Sequence, residues 1–293
     1  MKIQIQDGQK LGVLVEGFDH RTAPDAQIRQ LIELTHERKI IVLRRQQLSP
    51  TDYLALGRRF GEVEAYYQPM YHHPEVKEIF VASNVAEDGK PVGVPRTGKF
   101  WHIDYEFMPR PFAFTLVYQR VVPTGPRGTF FIDLADAFDS LPAALKDEAR
   151  GTVGCHSPRR YFKIRPEDVY RPICELLEEI DRETPPARHP TVIRHPVTGR
   201  ETLFISEGLT YGLEGADGEE LRPGLLRSLL EASGQMDGGH RHPAIHLQTF
   251  EANDLVMWDN RSLVHCALHT PVPEPTVTWR LTLNDGLPLS VAP

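Results

Sequence analysis

Short runs rich in β-branched and aromatic residues recur from end to end, and helices do not alternate with them. "IIVLR", "KEIFVASN", "FAFTLVYQRVV", "TFFIDL", "IHLQTFEANDLVMWDN", "SLVHCALHT" and "TWRLTLND" all have strand character. A doubly wound parallel sheet needs a crossover helix after each strand. That pattern is missing. The chain is therefore expected to be mainly β with flanking helices, a sandwich or jelly roll. Nothing marks a domain boundary, so residues 1–293 are expected to form a single domain.

The helices have their own signals. "APDAQIRQLIELTHERK" places Ile28, Leu31, Ile32 and Leu34 at helical spacing. "SPTDYLALGRRFGEV" offers Ser49 as N-cap, Pro50 at the first helical position and Gly61 as a stop. "DLADAFDSLPAALKDEARG" is helical with a break at Pro142, and "ELRPGLLRSLLEASG" is a short helix. "PEDVYRPICELLEEIDRETPP" is expected to start a helix at Pro166, interrupted by Pro172, and "TPPARHP" to be a loop. "TVIRHPVTGRETLFIS" has the pattern of a hairpin turning at "VTGR".

Composition excludes some classes of function. A net charge of -7 and the lack of a basic run argue against nucleic acid. The three cysteines have neither zinc nor disulfide spacing, which suits a reducing compartment. The apolar run "LGVLV" is too short for a signal-peptide core, and no run approaches a bilayer span. A cytoplasmic protein acting on a small molecule, with no membrane partner, is expected.

The chemistry is concentrated in "FWHIDYEF", residues 100–107. Read as a strand, this stretch points His102 and Asp104 to one face, where they can share a metal ion. The other H-x-E/D pattern, His73-Pro74-Glu75, contains a proline that spoils a paired strand. A third ligand should come from "WDNRSLVHCALHT", which offers His265 and His269. Their i, i+4 spacing also fits a helical zinc pair, but no Glu follows His265, and Pro271 and Pro273 end any helix. His265 ending or just following a strand, with His269 farther along a loop, is the expected arrangement. His102, Asp104 and His265 are then two imidazoles and a carboxylate on one side of a metal, the donor set of non-haem Fe(II) oxygenases.

"WHIDYEF", "GTFFIDLADAFDSLP", "HPVTGRETLF", "WDNRSLVHCA" and "WRLTLND", in this order, resemble the taurine-dioxygenase (TauD/TfdA) family of Fe(II)/2-oxoglutarate-dependent oxygenases. The likeness runs from "LGVLVEGF" to "LTLND". It implies a double-stranded β-helix (jelly-roll, cupin-like) core, Fe(II) as metal, and 2-oxoglutarate and O2 as co-substrates. It also implies that Arg280, 15 residues after His265, receives the far carboxylate of 2-oxoglutarate through its planar fork. Thr129 in "RGTFF" matches a threonine the family uses there. Sulfonate-oxidising relatives carry more than one Arg in the last segment. Here Arg280 stands alone, which argues against a sulfonate pocket.

Over the metal, "EAYYQPMYHHPE" gathers Tyr66, Tyr67 and Tyr71. Arg127 precedes Thr129 by two residues, Lys163 lies in "RYFKIRPE", and His269 follows His265 by four. Phenols and cations together suit a small substrate with two carboxylates. The same set is similar to that of the isonitrile-forming oxygenases of bacterial isonitrile-lipopeptide pathways. That resemblance implies an N-carboxymethyl-3-aminoalkanoic acid, such as 3-[(carboxymethyl)amino]butanoate, as substrate and a 3-isocyano acid as product. A hydroxylase of another small carboxylic or amino acid, and a jelly-roll metal-binding or sensor protein without turnover, are the alternatives. Trp101 and Trp258 are expected in the core, His156 in a supporting role, and Asp259 and Asn260 in the turn before the distal strand.

Overall fold

The computed structural model describes residues 1–5, 10–87, 89–162, 164–215 and 221–291. The chain divides into two compact units, residues 1–99, 112–131 and 246–287, and residues 100–111, 132–245 and 288–293. Short strands predominate in the first, and short strands mix with four α-helices in the second.

The first unit is built on an eight-stranded sheet. Its order is Lys2–Gln4, Val13–Glu16, Ile40–Leu43, Leu255–Asp259, Phe114–Val121, Val277–Asn284 and Glu62–Glu64, with Phe80–Ser83 also paired to Val277–Asn284. Val13–Glu16 and Ile40–Leu43 run parallel, and the helix Asp25–Arg38 supplies the crossover that a parallel pair requires. The central strands are buried on both faces. Ile41, Leu43, Leu255, Met257, Leu116 and Leu281 enter one apolar cluster, while Ile40, Val42, Val117, Val256 and Trp258 enter another. The alternation follows from the period of two in an extended chain. In Val277–Asn284 the odd positions Trp279, Leu281 and Leu283 join the first cluster, so Arg280 faces the side of Val117, its cross-strand neighbour. A second, three-stranded sheet places Gly128–Asp133 between Ile245–Thr249 and Leu263–Leu268.

The helix Pro50–Phe60 begins as the sequence predicts. The Asp52 N–H donates to Ser49 Oγ at 3.1 Å and the Ser49 N–H donates back to Asp52 at 3.4 Å, a capping box with Pro50 just inside it. Pro142 separates two short helices, Leu134–Ser140 and Ala143–Ala149.

The second unit has two three-stranded sheets, Ala187–Pro190, Val153–His156 and Thr210–Glu214 in one, and Glu201–Leu203, Val192–Arg194 and Ser290–Val291 in the other. Phe138, Val192, Leu203, Leu225 and Leu229 form its core cluster. No described helix is long and apolar enough to cross a membrane.

Three local expectations need correction. "TPPARHP" is not all loop: Ala187–Pro190 is a strand paired with Val153–His156, and the pairing is non-local. The helix expected from Pro166 starts at Ile173, after Pro172, and a single 3-10 turn covers Pro166–Asp168. Proline disfavours helical geometry in the residue before it, so Arg171 cannot continue a helix into Pro172 and the helix starts after the break. Finally, residues 104–107 of "FWHIDYEF" form a turn rather than a strand, with Tyr105 at φ 61°.

Candidate functional site

The turn still brings the two predicted ligands together. His102 Nε2 lies 3.8 Å from Asp104 Oδ1, and both residues are buried. The N–H of Glu106 donates to the Ile103 carbonyl at 3.3 Å, closing the turn. His102 Nδ1–H donates to the Phe100 carbonyl at 2.9 Å. That bond fixes the tautomer and leaves the Nε2 lone pair as the ligating one.

His265 lies inside the strand Leu263–Leu268, not at its end. Its ring packs against Trp258 at 4.9 Å and Phe131 at 5.9 Å between centroids. His102 and Asp104 belong to the second unit and His265 to the first, and each is buried. Two imidazoles and one carboxylate are a donor set that can hold a divalent ion and leave other positions free for co-substrate and O2. This donor set fits Fe(II).

Arg280 projects from Val277–Asn284 on the face opposite Trp279, and its guanidinium carbon sits 4.0 Å from the centre of the Phe80 ring. Thr129 is buried on the strand Gly128–Asp133. Tyr66, Tyr67 and Tyr71 form one aromatic group. Tyr66 meets Tyr67 at 4.5 Å and Tyr71 edge-on at 5.0 Å. Tyr71 is not a surface residue, being only 5% exposed.

Arg127 and His269 form a pair. Arg127 Nη1 donates to His269 Nδ1 at 2.7 Å and to the Leu268 carbonyl at 3.3 Å. His269 Nε2–H donates to the Thr97 carbonyl at 2.9 Å. Both ring nitrogens are thereby engaged, and neither is left for a substrate in this arrangement. Burial, and then the charge of Arg127, push the His269 pKa down to about 4, so the ring is neutral and accepts from the guanidinium. No carboxylate pairs with Arg127 among the described residues, and its Nε has no hydrogen-bond partner. The pair lines a cavity of about 240 Å³ together with Asn84, Arg96, Thr97 and Glu274. Lys163 lies outside the described residues.

The supporting residues behave as expected in kind. Trp101 and Trp258 are buried. Asp259 accepts from the Arg261 N–H at 2.9 Å and from His36 Nδ1 at 2.9 Å, and Asn260 accepts from Trp258 Nε1 at 2.9 Å, so both shape the turn.

Sequence reasoning overlooked Glu106. This fully buried carboxylate accepts from the Ile103 N–H at 3.2 Å, Ser206 Oγ at 2.6 Å, Thr210 Oγ1 at 3.3 Å and His156 Nδ1 at 3.2 Å. It ties down the backbone between the two ligands of the H-x-D turn. The only signal in the sequence was a second carboxylate two residues beyond Asp104. Phe80 was overlooked as well, and nothing in its local sequence announces it.

Comparison with known proteins agrees with this geometry. The model of the family "Taurine catabolism dioxygenase TauD, TfdA family" matches residues 6–282. The α-ketoglutarate-dependent 2,4-dichlorophenoxyacetate dioxygenase of Cupriavidus pinatubonensis is 30% identical over 265 residues, covering 86% of this chain and 86% of that protein. Pentalenolactone F synthase of Streptomyces arenae is 29% identical over 275 residues, covering 90% and 89%. Among solved structures, AAD-2 in complex with Mn(II) and N-oxalylglycine superposes with a TM-score of 0.75 over 98% of this chain and 99% of that one, at 22% identity. That likeness supports the mainly β, jelly-roll fold with flanking helices. The chain belongs to the TauD/TfdA family and is an Fe(II)- and 2-oxoglutarate-dependent dioxygenase that acts on a small molecule.

Proposed function

We propose that the enzyme converts an N-carboxymethyl-3-aminoalkanoic acid, such as 3-[(carboxymethyl)amino]butanoate, to the 3-isocyano acid. In this reading His102, Asp104 and His265 hold Fe(II), and Arg280 with Thr129 holds the far carboxylate of 2-oxoglutarate. Tyr66, Tyr67, Tyr71, Arg127 and Lys163 grip the two carboxylates of the substrate, and His269 holds Arg127 in place. Residues 1–293 act as one catalytic domain. The three free cysteines, two of them buried, are consistent with a cytoplasmic setting.

The observation that carries the reading is the Arg127–His269 pair. A guanidinium that burial partly strips of water, with no carboxylate partner among the described residues and a neutral histidine aiming it, is unfavourable until an anion arrives. It lines a cavity of about 240 Å³, of the size a small acid needs. Bound Fe(II) and 2-oxoglutarate supply the oxidation. The chain's own residues hold the N–CH2 carbon towards the metal and keep its carboxylate in place until it leaves as CO2. Removing four hydrogens and CO2 from the N–CH2–COOH group requires two rounds, each consuming one O2 and one 2-oxoglutarate, and releases two waters in all.

A second reading, oxidation of another small carboxylic acid, is favoured by the relatives, one of which is named for 2,4-dichlorophenoxyacetate. One assay separates them. The Fe(II)-loaded enzyme is incubated with 2-oxoglutarate, O2 and the carboxymethyl substrate, isonitrile is trapped with tetrazine, and succinate is counted. Two succinates per isonitrile are expected. A one-to-one ratio, or succinate without isonitrile, overturns the isonitrile reading. Lys163→Ala should greatly weaken turnover of the two-carboxylate substrate, whereas a one-carboxylate hydroxylase should hardly notice it.

A further inference from the structure

Phe80 stands directly across the ladder from Arg280. The strands Phe80–Ser83 and Val277–Asn284 run antiparallel, and these two residues are Cα partners. Opposite residues in such a pair project to the same face. The Arg280 guanidinium carbon accordingly lies 4.0 Å from the Phe80 ring centre, a cation–π distance. The same ring carries the tyrosine cluster. Tyr71 stacks on Phe80 at 4.4 Å with 20° between planes, and Tyr66 meets Phe80 edge-on at 5.3 Å. Tyr71 and Phe80 are buried together with Val94. A continuous stack thus leads from the phenols to the arginine.

We infer that Phe80 is a positioning residue for the co-substrate. Its ring restricts the Arg280 guanidinium to the orientation that receives the far carboxylate of 2-oxoglutarate, and it relays to Arg280 the packing of Tyr71 and Tyr66. An arginine side chain loses much rotamer freedom when it binds. A flat, apolar support that limits this freedom beforehand strengthens ligand binding without touching the ligand. The stack also joins the phenols assigned to the substrate with the arginine assigned to 2-oxoglutarate, so the two sites influence each other's affinity reciprocally. The inference rests on the reading of Arg280 and the tyrosines given above.

The test is calorimetric titration of 2-oxoglutarate into the Mn(II)-loaded full-length protein, which needs no turnover and no substrate. Phe80→Leu keeps apolar volume and removes the π face. It is expected to weaken 2-oxoglutarate about tenfold while leaving Mn(II) affinity and thermal stability close to wild type. Phe80→Tyr, which keeps the face, should bind within about twofold of wild type. Tyr71→Leu, one ring further along the stack from Arg280, should weaken it about threefold. In an Arg280→Lys background the Phe80→Leu loss should largely vanish, because the planar cation it orients is gone. Unchanged 2-oxoglutarate affinity in Phe80→Leu overturns the inference, and so does an equal loss of Mn(II) and 2-oxoglutarate. If Phe80→Leu does not fold, Tyr71→Leu with full 2-oxoglutarate affinity overturns it. Failure of the underlying reading looks different: Arg280→Ala would then bind 2-oxoglutarate as wild type does.

Discussion

Glu106 illustrates how much of this site depends on one buried side chain. Glu106 accepts from a backbone N–H, two hydroxyls and an imidazole. Its bond to the Ile103 N–H lies between the two donors that must converge on the metal. Groups that orient metal ligands typically contribute 10- to 100-fold to affinity. Glu106→Ala is therefore expected to lower Fe(II) affinity by about one to two orders of magnitude, measured by metal competition at constant protein. Removing the carboxylate also leaves Ser206 and Thr210 short of an acceptor, at about 1–3 kcal/mol of stability for each buried group. Wild-type metal affinity in a folded Glu106→Ala protein would show that the turn holds itself. The H-x-D pair was legible in the sequence because its two residues are neighbours. Glu106 was not, because its partners at 156, 206 and 210 are distant in sequence.

At the level of elements, the strand Val277–Asn284 decides which way the cation points. Trp279, Leu281 and Leu283 pack into one cluster, and the period of two sends Arg280 to the other face. Shifting this register by one residue would bury the guanidinium among the leucines. The helix Pro50–Phe60 is locally encoded. Ser49→Ala removes its cap and is expected to reduce stability by about 1 kcal/mol, read as a shift in urea midpoint. Gly61, where this helix ends, is a tertiary matter. A Cβ there would lie 2.5 Å from the Asn284 carbonyl oxygen, so backbone would have to move. Gly61→Ala is expected to cost about 1–3 kcal/mol, more than Ser49→Ala, and a smaller shift in the same titration would contradict the close approach. The segment 104–107 departs from the strand its aromatic residues favour for a related reason: among the described residues it joins no strand ladder, and internal bonds from the Glu106 and Met108 N–H groups close it into a turn.

For the whole molecule, buried histidines set the acid limit of stability. His189 donates to the Met108 carbonyl, and burial, followed by the nearby His156, holds its pKa down to about 4, against 6.5 ordinarily. His269 is lowered to about 4 as well, by burial and Arg127. Between these values the unfolded chain binds protons that the folded chain refuses. Stability is thus fully present above pH 6.5 and is lost as pH falls towards 4. For His189 the effect is on the order of 3 kcal/mol. The urea midpoint should fall between about pH 7 and pH 5, and a His189→Gln variant that still folds should lose part of that slope. A midpoint independent of pH over this range would contradict the buried, neutral state. Since both imidazoles are neutral near pH 7, the Arg127–His269 pair keeps its donor and acceptor roles across the physiological range.

What depends on neighbours along the chain is written in the order of its residues: the strand-rich pattern, the capped helix at Ser49, the break at Pro142, the H-x-D pair and the types of donor available for a metal. Packing across the fold selects which distant groups meet. It set His265 inside a strand against Trp258, turned His269 into a support for Arg127, closed Glu106 over the ligand turn and laid Arg280 on Phe80. Local signals arise from backbone sterics and side-chain spacing within a few residues, which the order of residues contains. Long-range contacts arise when loops close and apolar faces pack, and no short stretch of sequence contains that information.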